Sequence, residues 1–129
     1  MKNPVLPRPT DSELGILCVL WQRGPSTVRQ VMDELNRLQT TGYTTVLKLL
    51  QIMTEKGLVR REEDGRQHIY EPTLSEEQTQ RQLLGDLRDR AFNGSAQKLV
   101  MQALAAKPSS AAELAEIRRL LERMEQDIP

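Results

Sequence analysis

Apolar residues recur at helical spacing in three stretches of the first half of the chain. In the first stretch, the i, i+3, i+4 and i+7 positions predict one buried helical face made of Leu14, Leu17, Cys18 and Trp21. Thr10 and Glu13 stand just before it at the spacing of a capping box, in which two side chains bond each other's backbone N–H groups. Gly24-Pro25 ends the stretch. We therefore predict a helix whose core side carries a buried thiol and a buried indole.

The second and third stretches show the same periodicity and have their own boundary residues. Thr27 and Gln30 form another capping-box pair before the second, and Gly57 suits a left-handed terminator after the third. The predicted buried stripes are Val28, Val31, Met32 and Leu35, and then Val46, Leu49, Leu50 and Met53. The polar residues left on the outward face of the third helix are Thr44, Thr45, Lys48 and Gln51.

A two-stranded ribbon is predicted directly after the third helix. Asp64-Gly65 separates two short runs and suits a turn with both central residues at positive φ. Leu58 and Val59 on one side, and Ile69 and Tyr70 on the other, are expected to anchor its base. Because an isolated hairpin is marginal in water, the ribbon must lean on the helices before it.

The chain beyond Pro72 is helical in character, with capping-box spacing at Ser75 and Gln78 and at Ser110 and Glu113. Three helices in about 57 residues cannot easily bury their apolar stripes, because a small single core is marginal. We therefore predict a homodimer through this region, the alternative being packing within one chain. The interface residues would be Leu83, Leu84, Leu87, Leu99, Val100, Leu104, Leu114, Ile117, Leu120, Leu121 and Met124.

Together these elements predict a mainly α fold of two domains. Residues 1–72 have the order of a winged helix-turn-helix, three helices followed by a β-hairpin wing, and residues 73–129 form a three-helix dimerisation region. In that architecture the third helix enters the major groove of DNA while the wing lies against the backbone. A homodimer would then present two recognition helices to a palindromic operator, about one helical turn apart.

Double-stranded DNA is the partner that the outward side chains suit. Hydrogen-bonding groups on the third helix can reach base edges, whereas donors on the wing and at the start of the second helix can contact phosphates. The predicted contact residues are Ser26, Thr27, Thr41, Tyr43, Thr44, Thr45, Lys48, Gln51, Arg60, Arg61, Arg66 and Gln67.

The charge distribution limits this hypothesis. The net charge is zero, with ten basic and nine acidic residues among residues 1–72. DNA affinity must therefore come from local placement of charge or from dimerisation. Glu62, Glu63 and Asp64 crowd the tip of the wing, so its arginines should act from the flanks; the alternative is a solvated ribbon with local ion pairs. A winged-helix protein-interaction module without DNA binding is the alternative function.

Other chemistry finds little support in the sequence. It contains no nucleophile–base pair, Gly-rich phosphate loop or HExxH motif, so we predict neither an enzyme nor a cofactor. His68 has no second ligand at metal-binding spacing, and Cys18 has no partner for an intrachain disulfide. No apolar run approaches the roughly 18 residues of a membrane span, and the first ten residues lack the apolar core of a signal peptide. The sequence therefore predicts a cytoplasmic protein.

Four segments carry a resemblance to a known family: "TDSELGILCVLW", "STVRQVMDEL", "YTTVLKLLQIMTEKGLV" and "EEDGRQHIYEP". They resemble the penicillinase-repressor family (BlaI/MecI/CopY type), and the resemblance covers roughly residues 8–125. It implies a dimeric bacterial transcriptional repressor whose third helix reads a palindromic operator. It also implies control of antibiotic-resistance genes, relieved by proteolysis in the C-terminal region after a membrane receptor senses a β-lactam, through a sensor-linked protease.

The sequence departs from the family pattern at two points. Staphylococcal members are cut at an Asn-Phe bond, whereas this chain has Phe92-Asn93, the reverse order. Copper-responsive members end in a cysteine cluster, whereas Cys18 is the single cysteine here. The inducing signal and the site of any cleavage therefore stay open.

Overall fold

The computed structural model describes residues 8–129. Residues 1–7 lie outside the described residues. They include most of the first ten residues, for which the sequence predicted no signal peptide. Eight elements follow in order: α1 (Asp11–Arg23), α2 (Val28–Leu35), α3 (Tyr43–Lys56), β1 (Val59–Asp64), β2 (Gln67–Pro72), α4 (Glu76–Ala91), α5 (Ala96–Ala106) and α6 (Ala111–Gln126). The mainly α fold with one hairpin is therefore confirmed.

The chain divides into two compact units, the first ending at Leu84 and the second beginning at Gly85. The division lies within α4 and not at Pro72, where the sequence placed it. Contacts of the first unit extend past Pro72, because the Trp21 indole N–H donates to the carbonyl of Leu74 over 3.2 Å and Thr79 is buried.

Capping boxes set the starts of the helices as predicted. At α1, Glu13 N–H donates to Thr10 Oγ1 over 3.2 Å while Thr10 N–H donates to Glu13 Oε1 over 2.8 Å. The same reciprocal pair joins Thr27 and Gln30 at α2. It recurs at α4 and α6, between Ser75 and Gln78 and between Ser110 and Glu113. Gly57 ends α3 in the left-handed conformation, with φ of 83°.

The core of the first unit is built by α1, α2, α3 and the base of the hairpin. Its buried apolar residues are Ile16, Leu17, Leu20, Val28, Val31, Val46, Leu50, Met53, Leu58, Val59 and Tyr70. The predicted stripes of α2 and α3 face this core, with Met32, Leu35 and Leu49 only partly buried against it. The core therefore holds the outward side of α3 at a fixed angle to the hairpin.

The buried face of α1 differs from the prediction. Glu13, Ile16, Leu17 and Leu20 are the buried residues, whereas Cys18 is exposed and Trp21 is only partly buried against the core. The two faces have identical spacing, one residue apart, so periodicity alone could not separate them. The buried face includes the charged residue Glu13, so the pattern of apolar residues did not indicate it. The buried carboxylate is stable there because it pairs with Lys56.

The hairpin pairs Val59 with Pro72 at its base and Asp64 with Gln67 at its tip. The central turn residues are thus Gly65 and Arg66. Gly65 has φ of 66°, and the described non-glycine residues include no other positive φ than that of Asn93. The predicted turn with Asp64-Gly65 at its centre is wrong. Glycine at the first central position is instead the pattern of a type II′ turn.

The base of the hairpin joins the start of α2 through the backbone. Ser26 N–H donates to Tyr70 carbonyl oxygen over 3.0 Å, and Tyr70 N–H donates to Ser26 carbonyl oxygen over 2.8 Å. Tyr70 is fully buried, whereas Ile69, which the sequence also assigned to the base, is only partly buried. Tyr70 therefore has the anchoring role on β2.

The second unit contains the end of α4 and the helices α5 and α6. Asn93 and Gly94 form a left-handed turn between α4 and α5, with φ of 51° and 81°. Neither α5 nor α6 has a buried residue. Leu114, Leu121 and Met124 on α6 are 43%, 52% and 57% exposed. This chain alone therefore leaves the apolar stripes of both helices largely in contact with solvent.

Candidate nucleic-acid interface

The outward face of α3 carries the predicted base-contacting residues. Thr44, Thr45, Lys48 and Gln51 are all exposed, and they lie opposite the fully buried stripe of Val46, Leu50 and Met53. Because the buried stripe fixes the rotation of the helix, the four polar side chains share one solvent-facing side. The structure thus brings these four residues together as the sequence predicted.

The start of α3 suits the approach of an anion. Its N-cap, Gly42, provides no side-chain hydrogen bond to the first N–H groups, so these groups are not covered by a capping side chain. Tyr43 follows with 48% of its surface exposed. The preceding turn is fixed because Thr41 N–H donates to Asn36 Oδ1 over 2.6 Å, and the Thr41 hydroxyl donates to Gln39 carbonyl oxygen over 3.4 Å.

Of the two DNA-contacting residues predicted at the start of α2, only one is accessible to solvent. Thr27 is partly exposed and its hydroxyl accepts from Gln30 N–H. Ser26 is fully buried: its hydroxyl donates to Gly24 carbonyl oxygen over 2.8 Å and its backbone pairs with Tyr70. The prediction that Ser26 contacts DNA is therefore wrong, because the base of the wing covers this residue.

Arg29 is a candidate residue that the sequence reasoning missed. It lies exposed in the first turn of α2, two residues after the capping Thr27. A guanidinium at a helix start can reach a phosphate that the helix N-terminus also attracts. Its position beside the apolar residue Val28, outside the predicted stripe, is the sequence signal that could have identified it.

The arginines of the wing differ in their local pairing. Arg60 Nη2 lies 3.2 Å from Glu71 Oε1 in an ion pair across the two strands. Arg61, next along β1, points to the other face because side chains alternate along a strand. Arg61, Arg66 and Gln67 are exposed, whereas His68 Nε2 lies 3.7 Å from Glu63 Oε1. Arg61 and Arg66 are therefore better available to a phosphate than Arg60.

An ion pair connects α1 to the end of α3. Both carboxylate oxygens of Glu13 lie 3.0 Å from Lys56 Nζ, and the Glu13 side chain is 2% exposed. Burial raises the pKa of Glu13, but the hydrogen bond from Thr10 N–H and the ammonium of Lys56 outweigh it, so the pKa is lowered overall. Glu13 is thus held ionised and helps to position the helix that carries the outward face.

Within residues 8–129, no helix combines the length and the apolar character needed to cross a membrane. Over the same residues, no three His, Cys, Asp or Glu side chains form a group that could hold a metal ion.

Comparison with known sequences identifies the family. The family model described as penicillinase repressor matches residues 9–123. The chain belongs to the penicillinase repressor family. A penicillinase repressor of Bacillus licheniformis is 25% identical over 117 residues, covering 91% of each chain. A transcriptional regulator BlaI of Mycobacterium tuberculosis is 32% identical over 123 residues, covering 95% of this chain and 78% of the relative.

Solved structures of this penicillinase repressor family share the winged-helix unit. The monomeric form of Bacillus licheniformis BlaI, solved in complex with the blaP half-operator, is 26% identical with a TM-score of 0.50. It aligns with 57% of this chain and 89% of its own. The DNA-binding domain of the repressor BlaI is 26% identical over 56% of this chain and 88% of its own, with a TM-score of 0.51. The winged-helix fold is thereby confirmed.

A similar fold extends over more of the chain in another regulator. PcaV from Streptomyces coelicolor has a TM-score of 0.51 over 93% of this chain and 77% of its own, at 20% identity. At that identity the likeness concerns the fold alone. It covers the helices after the wing as well as the winged-helix unit of this penicillinase repressor family member.

Proposed function

We propose that the protein is a sequence-specific DNA-binding transcriptional repressor that acts as a homodimer on a palindromic operator. In this proposal α3 is the recognition helix and enters the major groove. Lys48, Thr44, Thr45 and Gln51 contact base edges or the edges of the groove, with Tyr43 on a phosphate. The hairpin lies on the sugar-phosphate backbone through Arg61 and Arg66.

The observation that carries the proposal is the outward face of α3. Four exposed hydrogen-bonding side chains share one side of a helix whose opposite side is fully buried. The unit that presents them resembles the BlaI domain that was solved with a half-operator. Donors and acceptors held on a rigid helix are what direct reading of base edges requires.

The dimer is proposed from the exposed apolar stripes of the second unit. On α6, Leu114, Ile117, Leu121 and Met124 follow each other at intervals of three and four residues, the spacing of a helix–helix seam. A second copy of the chain could cover these side chains by presenting the same surface, as closed two-fold assemblies do. Two linked recognition helices would also offset the zero net charge of the monomer.

We extend the proposal to release of repression by proteolysis in the C-terminal region, and to antibiotic-resistance genes as targets. The family relationship supports both, and the exposed turn at Asn93 and Gly94 is a segment outside the helices that a protease could reach. Cutting there would separate α5 and α6 from the winged-helix unit, and with them most of the proposed dimer interface.

A gel-shift titration with DNA from upstream of the protein's own gene tests the main proposal. The experiment is run at 50 and 200 mM salt, with a shuffled fragment of the same composition as the control. We expect a shift that the shuffled fragment does not give and that weakens steeply with salt, since phosphate contacts release counterions. Absence of a salt-sensitive shift with any upstream segment would leave the protein-interaction module as the better interpretation.

A further inference from the structure

A groove beside the recognition helix is not explained by DNA binding. It has a volume of about 440 Å³, is open to solvent, and is lined by α1, the end of α2 with the following turn, and the start of α3. Leu35, Leu38 and Leu49 are its large apolar residues. Leu38 is 93% exposed and therefore lies at the open rim of the groove.

We propose that this groove binds a small organic cation with an apolar body, and that the ligand competes with DNA. The volume lies within the range of small-molecule sites, roughly 300 to 1,000 Å³, whose lining is mostly apolar with a few polar groups. The three leucines offer contact to an apolar body. The competition depends on the proposed function, whereas the binding itself does not.

The charge of the ligand follows from the lining. Asp11 is the one charged side chain among the described groove residues, and it is exposed at the start of α1. Ser12 adds a hydroxyl from α1, and Thr41 and Thr45 add two more from the turn before α3 and from α3. A single carboxylate at the rim of an apolar groove favours a cation over a neutral or an anionic molecule of the same shape.

The competition follows from residues that the groove shares with the proposed DNA interface. Thr41 and Thr45 belong both to the groove lining and to the predicted DNA contacts. A ligand that packs against these two side chains occupies space next to the recognition helix. Ligand and DNA should then weaken each other's binding by the same factor, because coupling between two sites is reciprocal.

Three probes with one apolar body and different charges test the binding. They are 2-phenylethylammonium, 2-phenylethanol and 3-phenylpropionate, titrated into the full chain at pH 7 and followed by amide NMR shifts. We expect shifts around Gly15, Leu38 and Thr45. The cation should bind about two- to fivefold more tightly than the alcohol, the size of one exposed ion pair. The anion should bind most weakly.

Two variants and a matched control locate the site. Asp11→Asn should abolish the preference for the cation, whereas Asp33→Asn, an exposed aspartate of α2 outside the groove, should keep it. Gly15 lines the groove and a Cβ built there meets no atom within 4 Å, so Gly15→Leu should fill the groove and remove binding of all three probes. Equal affinity for the three charges, or shifts away from the groove, would overturn the proposal.

The competition is measured with whichever upstream DNA fragment the chain shifts. Increasing 2-phenylethylammonium should weaken DNA binding by wild-type protein and leave Gly15→Leu unaffected, and 2-phenylethanol should have the same effect only at about two- to fivefold higher concentration. Binding of the cation without any change in DNA affinity would overturn the competition. If no fragment is shifted at all, the proposed function fails, while the NMR titration still decides whether the groove binds the cation.

Discussion

Glu13 shows how one buried carboxylate can orient the outward face of α3, the proposed DNA-binding surface. Its side chain accepts from Thr10 N–H at the start of α1 and pairs with Lys56 in the last turn of α3. The same residue therefore caps one helix and positions another. Lys56 remains about one-third exposed, so its ammonium keeps part of its hydration. The desolvation cost of the ion pair therefore falls mainly on the Glu13 carboxylate.

We expect Glu13→Gln to destabilise the fold at pH 7 by about 1 to 3 kcal/mol, because the variant loses the ion pair. The folded pKa of Glu13 lies below its ordinary 4.5, so its contribution is present above pH 4.5 and is lost as the pH falls through the folded value. The difference in unfolding free energy between the variant and the wild type should therefore become smaller in acid. Urea unfolding at fixed protein concentration and several pH values measures it.

Glu55→Gln is the matched control for Glu13→Gln, since Glu55 is an exposed carboxylate of α3 next to Lys56, the partner of Glu13. It should change the unfolding free energy by no more than about 0.5 kcal/mol at any pH. A Glu13→Gln variant that is as stable as wild type at pH 7 would show that the buried pair contributes nothing to the fold.

Lys48 tests the recognition helix at the level of one side chain. Lys48→Ala removes an exposed ammonium and places a good helix former there, so the fold and the dimer should be retained. If Lys48 reads a base edge, specific affinity should fall by about 1 to 3 kcal/mol and discrimination at one position should relax. Lys98→Ala, an exposed lysine of α5, is the control in the same gel shift. Operator affinity equal to wild type would contradict the assignment.

At the scale of elements, capping residues were more informative than periodicity. The four reciprocal pairs at α1, α2, α4 and α6 are local, with both partners three residues apart, and all of them were predictable. The face of α1 was not predictable, because the partner of Glu13 is Lys56, far along the chain. The position of the hairpin turn was also predicted wrongly. It is set by the pairing of the two strands, which begins at Val59 and Pro72, and not by the Asp64-Gly65 dipeptide alone.

The register of the hairpin leads to a prediction for the wing. Arg60 is paired with Glu71, whereas Arg61 on the opposite face has no such cross-strand carboxylate among its described contacts. Arg61→Ala should lower the salt dependence of DNA binding by about one unit of log–log slope, the loss of one phosphate contact. Arg60→Ala should change it less and is the matched comparison in the same titration. An equal or larger effect of Arg60→Ala would contradict the assignment of the wing face.

At the scale of the whole molecule, the two units differ in how they are stabilised. The first has a closed apolar core, whereas α5 and α6 have no buried residue in the single chain. The sequence predicted both the helices and the excess of apolar residues in the second unit. It did not predict the division within α4, since the contact of Trp21 with Leu74 joins residues distant in sequence.

This division predicts the behaviour of shortened chains. A chain ending after Leu84 keeps Leu74 and Thr79 and should be a folded monomer, whereas one ending after Pro72 lacks both and should be less stable. The longer fragment should bind the operator about 10² to 10⁴ times more weakly than the full chain, because it loses the linked second recognition helix. Sedimentation measures the oligomeric state of each fragment, urea unfolding its stability, and the gel shift its affinity for the operator.

A substitution in the full chain distinguishes two causes of weaker operator binding: loss of the proposed dimer and loss of residues 85–129. Leu121→Asp places a charge in the proposed seam of α6 and should give a monomer with the operator affinity of the fragment ending at Leu84. Glu122→Ala, at an adjacent exposed position, should remain dimeric. If the fragment ending at Leu84 is itself a dimer, the interface lies in the winged-helix unit, and the exposed stripes of α5 and α6 must serve another partner.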